Sequence, residues 1–181
     1  MTMGFPLYYA TAHLKYGWIA VTRSENGITQ LSPPSTSREA ALTSIQVHPN
    51  QTSRDTTRFT NFIEELTLFL DGKIELFSSP IDLADKPPFF RQVWDICRTI
   101  PYSETRTYAW LAAATGNQNA YRAVGQAMAR NPVPILIPCH RVLKSNGTLG
   151  GYAWGTDTKS WLLNIEQFKR NSSVPNKLFA D

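Results

Sequence analysis

Residues 107–132, TYAWLAAATGNQNAYRAVGQAMARNP, constrain the fold more than any other stretch. They read as a short helix to about Thr115, a turn over Gly116 to Asn119, and a second helix from Ala120 to about Arg130. Pro132 and Pro134 then stop that helix. Two short helices about a glycine-containing turn make either a helix-turn-helix or a plain helical hairpin, the hairpin being the commoner outcome. Ala123, Gly125, Ala127 and Ala129 are all small. Glycine inside a helix costs about 1 kcal/mol against alanine, so the small face has to serve a close backbone approach, to another helix or to a phosphate chain.

At 181 residues the chain has room for one domain or two small ones, and 42% apolar residues supply a core. We expect an α+β fold: an N-terminal unit over 1–86, a mostly helical unit over 87–170, and a loose tail over 171–181. LYYATAHL and YGWIAVT, meeting near Lys15, predict a hairpin, and Ile28 to Leu31 a third strand. In residues 56–72, Phe59, Phe62, Ile63, Leu66, Phe69 and Leu70 recur at helical spacing and Gly72 closes the run. Residues 74–88 read as an extended, proline-punctuated linker. In the second half, Phe90, Val93, Trp94 and Cys97 share one helical stripe, which makes Cys97 a buried, inert thiol. Asn146-Gly147 and Gly150-Gly151 predict a hairpin-like wing, and Asp157 caps a last helix burying Trp161, Leu162, Ile165 and Phe168.

Charge divides the halves. Residues 1–86 hold seven basic and nine acidic side chains, and residues 87–181 hold eleven and five. A basic second half suits a polyanion partner. The longest apolar runs fall far short of the ~20 residues of a membrane helix. The N-terminus lacks a basic flank before a long apolar run, so no secretory signal is expected. Two cysteines neither build a disulfide framework nor fill a zinc site, so no metal is expected and cysteine chemistry falls to one thiol.

That thiol is Cys139, in IPCHRV. A cysteine near pKa 8.5 needs a base or a positive field to react. His140 follows it directly, and Glu166, the one acidic residue of the last helix after Asp157, is the candidate to orient the imidazole. A buried cysteine beside a satisfied histidine is the competing reading. Reactivity asks for a sulfur ionised beside its imidazole, in a cavity that a purine can reach.

The stretch NPVPILIPCHRV, preceded by YRAVG and followed by a glycine-rich turn and a tyrosine, resembles the O6-alkylguanine-DNA alkyltransferases over about residues 87–168. The resemblance implies a small ribonuclease-H-like N-terminal domain and a winged helix-turn-helix DNA-binding domain. It implies a direct-reversal repair protein that flips the damaged guanine from duplex DNA and moves its O6-alkyl group, once and irreversibly, onto Cys139. His140, through a water, would take the thiol proton and pass charge toward Glu166. Tyr108 would donate to the base, and Asn131 would buttress the cysteine loop. Arg122 would be the finger that fills the vacated stack, with Tyr121, Ala123, Gly125 and Ser145 against the DNA. Met128, Val142, Tyr152, Ala153 and Trp154 would form the pocket. Main-chain carbonyls of Cys139 and Val142 would read the guanine amino group, and the Ala153 amide would face O6. No cofactor is implied. The partner is double-stranded DNA carrying O6-alkylguanine, with O4-alkylthymine as a further candidate lesion, met by a monomer in the cytoplasm, or in the nucleus of a eukaryote.

Three positions depart from the family pattern. Trp154 stands where many members have glycine and is expected to narrow the entrance against groups such as benzyl. Thr156 replaces a common leucine, and Tyr121 a small residue. A lesion-binding protein without transfer, a transcriptional winged helix and a Cys-His hydrolase are the alternatives; members of the first group lack the acceptor cysteine that this chain has.

Overall fold

The computed structural model describes residues 7–45, 47 and 52–168. The side chain of Phe168 and the expected tail over 171–181 lie outside the described residues. The chain divides into two compact units, Met1–Leu68 with Phe77–Asp85, and Phe69–Leu76 with Lys86–Asp181. Residues 69–76 therefore group with the second unit, although the sequence reading drew a single break after residue 86.

The first unit is a four-stranded sheet in the order β3-β2-β1-β4. β1 (Leu7–Leu14) and β2 (Gly17–Arg23) form the expected antiparallel hairpin, closing at Leu14 opposite Gly17. Gly17 has φ +122°, and a Cβ there would stand 2.8 Å from the Ser35 carbonyl oxygen, so the turn requires glycine. β3 (Ile28–Leu31) extends the sheet antiparallel to β2, with a register shift at Thr22 and Arg23. Ile19, Ala20, Val21 and Thr22 are all buried, so β2 is covered on both faces. The sequence reading missed two elements. One is α1 (Arg38–Thr43), capped by the Ser37 side chain accepting from the Ala40 amide and packed on β1 and β2. The other is β4 (Thr52–Arg54), paired parallel to β1. Both are too short for periodicity to reveal. The segment taken as a linker is a partner of β3: the Ile28 amide donates to Pro80 at 2.8 Å, and the Asp82 amide to Ile28 at 2.9 Å. A turn of 3₁₀ helix (Thr57–Phe59) leads into α2 (Thr60–Leu70), which Gly72 ends at φ +69°.

In the second unit, α3 (Pro88–Arg98) starts with proline at its first turn and buries Val93, Trp94 and Cys97. α4 (Tyr108–Ala114) is capped by the Thr107 hydroxyl, which accepts from the Trp110 amide. After Gly116 at φ +85° a 3₁₀ turn delivers α5 (Tyr121–Ala129). α3 packs on both, and the Trp94 indole N–H donates to the Ala127 carbonyl at 2.9 Å, tying α5 to the core. This is the helix-turn-helix frame. The wing is less regular than expected. Its turn closes with the Lys144 amide donating to Thr148, but only β6 (Val142–Leu143) is a strand, and it pairs in parallel with β5 (Arg106–Thr107). α6 (Thr156–Phe168) packs on the turn Cys139–Arg141, with Asp157 inside its first turn rather than at the cap.

Candidate active site

Asn131 organises the loop that carries the thiol. Its Nδ2 donates to the Ile137 carbonyl at 2.8 Å and to Cys139 Sγ at 3.0 Å, while its Oδ1 accepts from the Val133 amide at 3.0 Å. Inside this clamp Ile135 is held at φ +80°, a left-handed conformation that a β-branched side chain disfavours. Such strain persists only where the surroundings over-determine the backbone. The loop then delivers Cys139 to the start of a 3₁₀ turn (Cys139–Arg141).

The next two residues converge on one carboxylate. His140 Nε2 lies 2.7 Å from Glu166 Oε1. Arg141 donates through Nη2 to Oε1 at 2.9 Å and through Nε to Oε2 at 3.0 Å, and its Nη1 donates to the Ile100 carbonyl at 2.7 Å. The Ser103 amide adds a donor to Oε2 at 3.1 Å. His140 and Glu166 are wholly buried. Burial alone would raise the Glu166 pKa, but His140 and Arg141 outweigh it and hold the carboxyl below its ordinary value. An ionised carboxylate only accepts, so the imidazole proton sits on Nε2 and Nδ1 carries the lone pair. Nδ1 is buried and has no hydrogen-bond partner among the described residues. Burial also lowers the His140 pKa against the pull of Glu166, so the ring is neutral at rest.

The sulfur is not ionised at rest, contrary to the sequence expectation. Burial pushes the Cys139 thiol up to about 11, and the Asn131 hydrogen bond, the Lys159 charge and the Tyr152 hydroxyl only partly offset it. Cys139 lines a cavity of about 600 Å3 shared with Tyr108, Met128, Tyr152 and Ala153. That is the size of a small-molecule site, roughly 300–1,000 Å3. The Tyr152 hydroxyl is buried without a hydrogen-bond partner of normal geometry and faces the thiol. Tyr108, at the start of α4, is 3.5 Å through its hydroxyl from the Gly151 carbonyl.

Two expected pocket residues stand elsewhere. Val142 is fully buried and does not line the cavity; its carbonyl, expected to read the base, already accepts from Lys159 Nζ at 2.6 Å. Trp154 is also absent from the lining. Its indole stands edge-on to Tyr152, ring centres 6.2 Å apart. On the side of α5, Tyr121, Arg122 and Gly125 line the cavity, whereas Ala123 and the exposed Ser145 do not. Glycine is not demanded by packing at 125: a Cβ built there meets nothing within 4 Å.

Sequence reasoning missed Arg141 and Lys159. Lys159 is fully buried, and its ammonium donates to the carbonyls of Val142 and Leu149, the two ends of the wing. Burial lowers its pKa to about 8. The signal was present, because Lys159, Leu162, Leu163 and Glu166 follow i, i+3, i+4, i+7 spacing and put two charges on the apolar face of α6. We expect iodoacetamide labelling of Cys139 to rise with pH throughout ~6–9, with no plateau near the free-thiol value of about 8.5. Lys159→Met should slow labelling further below pH 8, where the wild-type ammonium is charged. Mass spectrometry of the Cys139 peptide reads both rates, and a plateau at neutral pH would contradict the protonated resting thiol.

Among the described residues no group of three or more His, Cys, Asp or Glu is placed to hold a metal ion. None of their helices is long and apolar enough to cross a membrane.

Two family models cover most of the chain. The 6-O-methylguanine DNA methyltransferase ribonuclease-like domain matches residues 7–83, and the DNA binding domain of the same family matches residues 88–168. The constitutive methylated-DNA–protein-cysteine methyltransferase of Bacillus subtilis is 38% identical over 88% of this chain and 95% of its own length. A methylated-DNA–protein-cysteine methyltransferase of Methanosarcina barkeri is 35% identical over 89% of this chain and 98% of its own. Among solved structures, Mycobacterium tuberculosis OGT in complex with DNA superposes with a TM-score of 0.76 at 31% identity, covering 88% of this chain and 92% of that one.

Proposed function

Because the chain belongs to the 6-O-methylguanine DNA methyltransferase family, a group that repairs methylated DNA by alkyl transfer to a protein cysteine, we propose that Cys139 is its acceptor and that the buried His140–Glu166 pair governs the thiol proton. The observation that carries this reading is the placement of Cys139 Sγ on the wall of a cavity large enough for a purine, one residue before an imidazole whose Nδ1 lone pair is buried without a hydrogen-bond partner among the described residues.

The transfer is one displacement. Sγ attacks the alkyl carbon, the C–S bond forms, the C–O6 bond breaks, and its electron pair leaves with guanine. The thiol proton passes to His140 Nδ1 across an ordered water, the usual partner of a buried acceptor. The imidazolium is stabilised by Glu166, itself held ionised by Arg141. Tyr108 gives its hydroxyl proton to the departing base, and the proton on His140 restores the phenol through solvent. A resting thiol near 11 fits this order, since deprotonation accompanies attack rather than preceding it. The thioether has no leaving path, so each molecule acts once.

The duplex is met by α5. The open space beside Gly125, together with the basic second half of the chain, supports a phosphate backbone lying against this helix. Arg122 is exposed, lines the cavity and has no carboxylate partner among the described residues, which suits a finger that occupies the gap left by an extruded guanine. A thiol that must stay reduced suits an activity in the cytoplasm, or in the nucleus of a eukaryote.

The test is incubation with duplex DNA carrying O6-methylguanine. The Cys139 peptide should gain one CH2 mass stoichiometrically and the DNA should return to guanine. Repeated turnover, or a gain at Cys97 instead, would overturn the assignment.

A further inference from the structure

α5 opens on a side chain that internal packing does not explain. Tyr121 is 51% exposed, and Leu76, Trp110 and Tyr121 are the large apolar side chains that stand exposed among the described residues. The Arg122 guanidinium lies 5.8 Å from the Tyr121 ring centre, and both residues line the cavity that leads to Cys139. An alanine would form the helix at least as well at this position, so the ring is not there for α5. A solvent-facing phenol beside a free guanidinium offers a flat surface to whatever approaches, and nucleobases stack on such surfaces whatever their sequence.

We propose that Tyr121 is a specificity-determining residue of the DNA reaction: its ring backs the Arg122 guanidinium and stacks on a base beside the extruded guanine. The inference rests on the alkyl-transfer reading above and assigns part of the hold on the opened duplex to an aromatic ring as well as to a cation. Extrusion comes before transfer, so the contribution belongs to duplex substrates and has no counterpart when the free base reacts.

The experiment compares wild type, Tyr121→Ala and Tyr121→Phe on an O6-methylguanine duplex and on free O6-methylguanine, following the Cys139 adduct by mass. The ratio of duplex to free-base rates should fall about tenfold in Tyr121→Ala, the effect of losing one base–aromatic stack, and be kept in Tyr121→Phe. Arg122→Ala sets the scale for loss of the finger. A 2-aminopurine beside the lesion should be quenched on binding by wild type and Tyr121→Phe and stay brighter with Tyr121→Ala. An unchanged ratio in Tyr121→Ala, including one in which both rates drop together, overturns the proposal. So does a Tyr121→Phe ratio as low as that of Tyr121→Ala, which would assign the effect to the hydroxyl. Absence of any Cys139 adduct in wild type would instead remove the transfer reading on which the proposal rests.

Discussion

Cys139→Ala is expected to take up no alkyl group from an O6-methylguanine duplex, while holding that duplex at least as tightly as wild type. The loss is total because no second thiol can substitute: Cys97 is fully buried on the core face of α3, and burial drives its pKa well above the ordinary value. Binding survives because the groups proposed to meet DNA, Arg122 and the open face of α5, are anchored by Trp94 and Val124 rather than by the sulfur. Removing Sγ costs Asn131 one weak acceptor, but its bonds to Ile137 and Val133 remain and keep the loop in place. Gel-shift titration together with mass spectrometry measures both halves. A variant that no longer binds would make the cysteine a structural element of the loop.

Glu166→Ala should destabilise the second unit by about 3–5 kcal/mol, the usual cost of stripping one partner from a buried ion pair. Arg141 would be left as an unneutralised guanidinium in the interior, His140 Nε2–H would lose its acceptor, and the Ser103 amide would lose one too. In a chain of this length the loss corresponds to a fall of roughly 10 °C in the melting midpoint. Glu166→Gln should lose nearly as much, because it keeps the shape but not the charge. The pH dependence separates this cause from a simple cavity. The folded-state pKa of Glu166 lies below its ordinary value, so the stabilisation is present above about pH 4.3 and disappears as pH falls through the lowered value. Wild type should lose that increment on acidification and the variants should not, as thermal melts at neutral and acid pH would show. Transfer should collapse as well, since nothing then fixes the imidazole proton on Nε2.

Local chemistry was enough to predict the two short helices about their turn and the β1–β2 hairpin, while reading the helix pair as a DNA-binding helix-turn-helix came from the family resemblance. Glycine at 116, the prolines after α5 and the β-forming residues of the first strands act over a few residues and leave their mark in the letters. α1 and β4 left no such mark. Each is six residues or fewer, and each is stabilised by the strand it lies against rather than by its own pattern. The linker misreading has the same origin: the stretch from Pro80 to Asp82 looks like punctuation until Ile28 supplies the hydrogen-bond partner of Pro80 and Asp82.

The residues of the site were named largely by motif, and their electrostatic state was not. By itself the amino-acid order pointed to the acid that meets the imidazole, whereas the reactive thiol and the helix facing DNA were what the family resemblance implied. The choice of acid follows from the scarcity of alternatives, since α6 has one acid after its first turn. Only the tertiary structure decided that the thiol rests protonated, that Lys159 occupies the Val142 carbonyl, and that Trp154 supports Tyr152 instead of lining the cavity. Desolvation and hydrogen-bond competition set those outcomes, and both depend on atoms that are far apart along the chain and come together only when it folds.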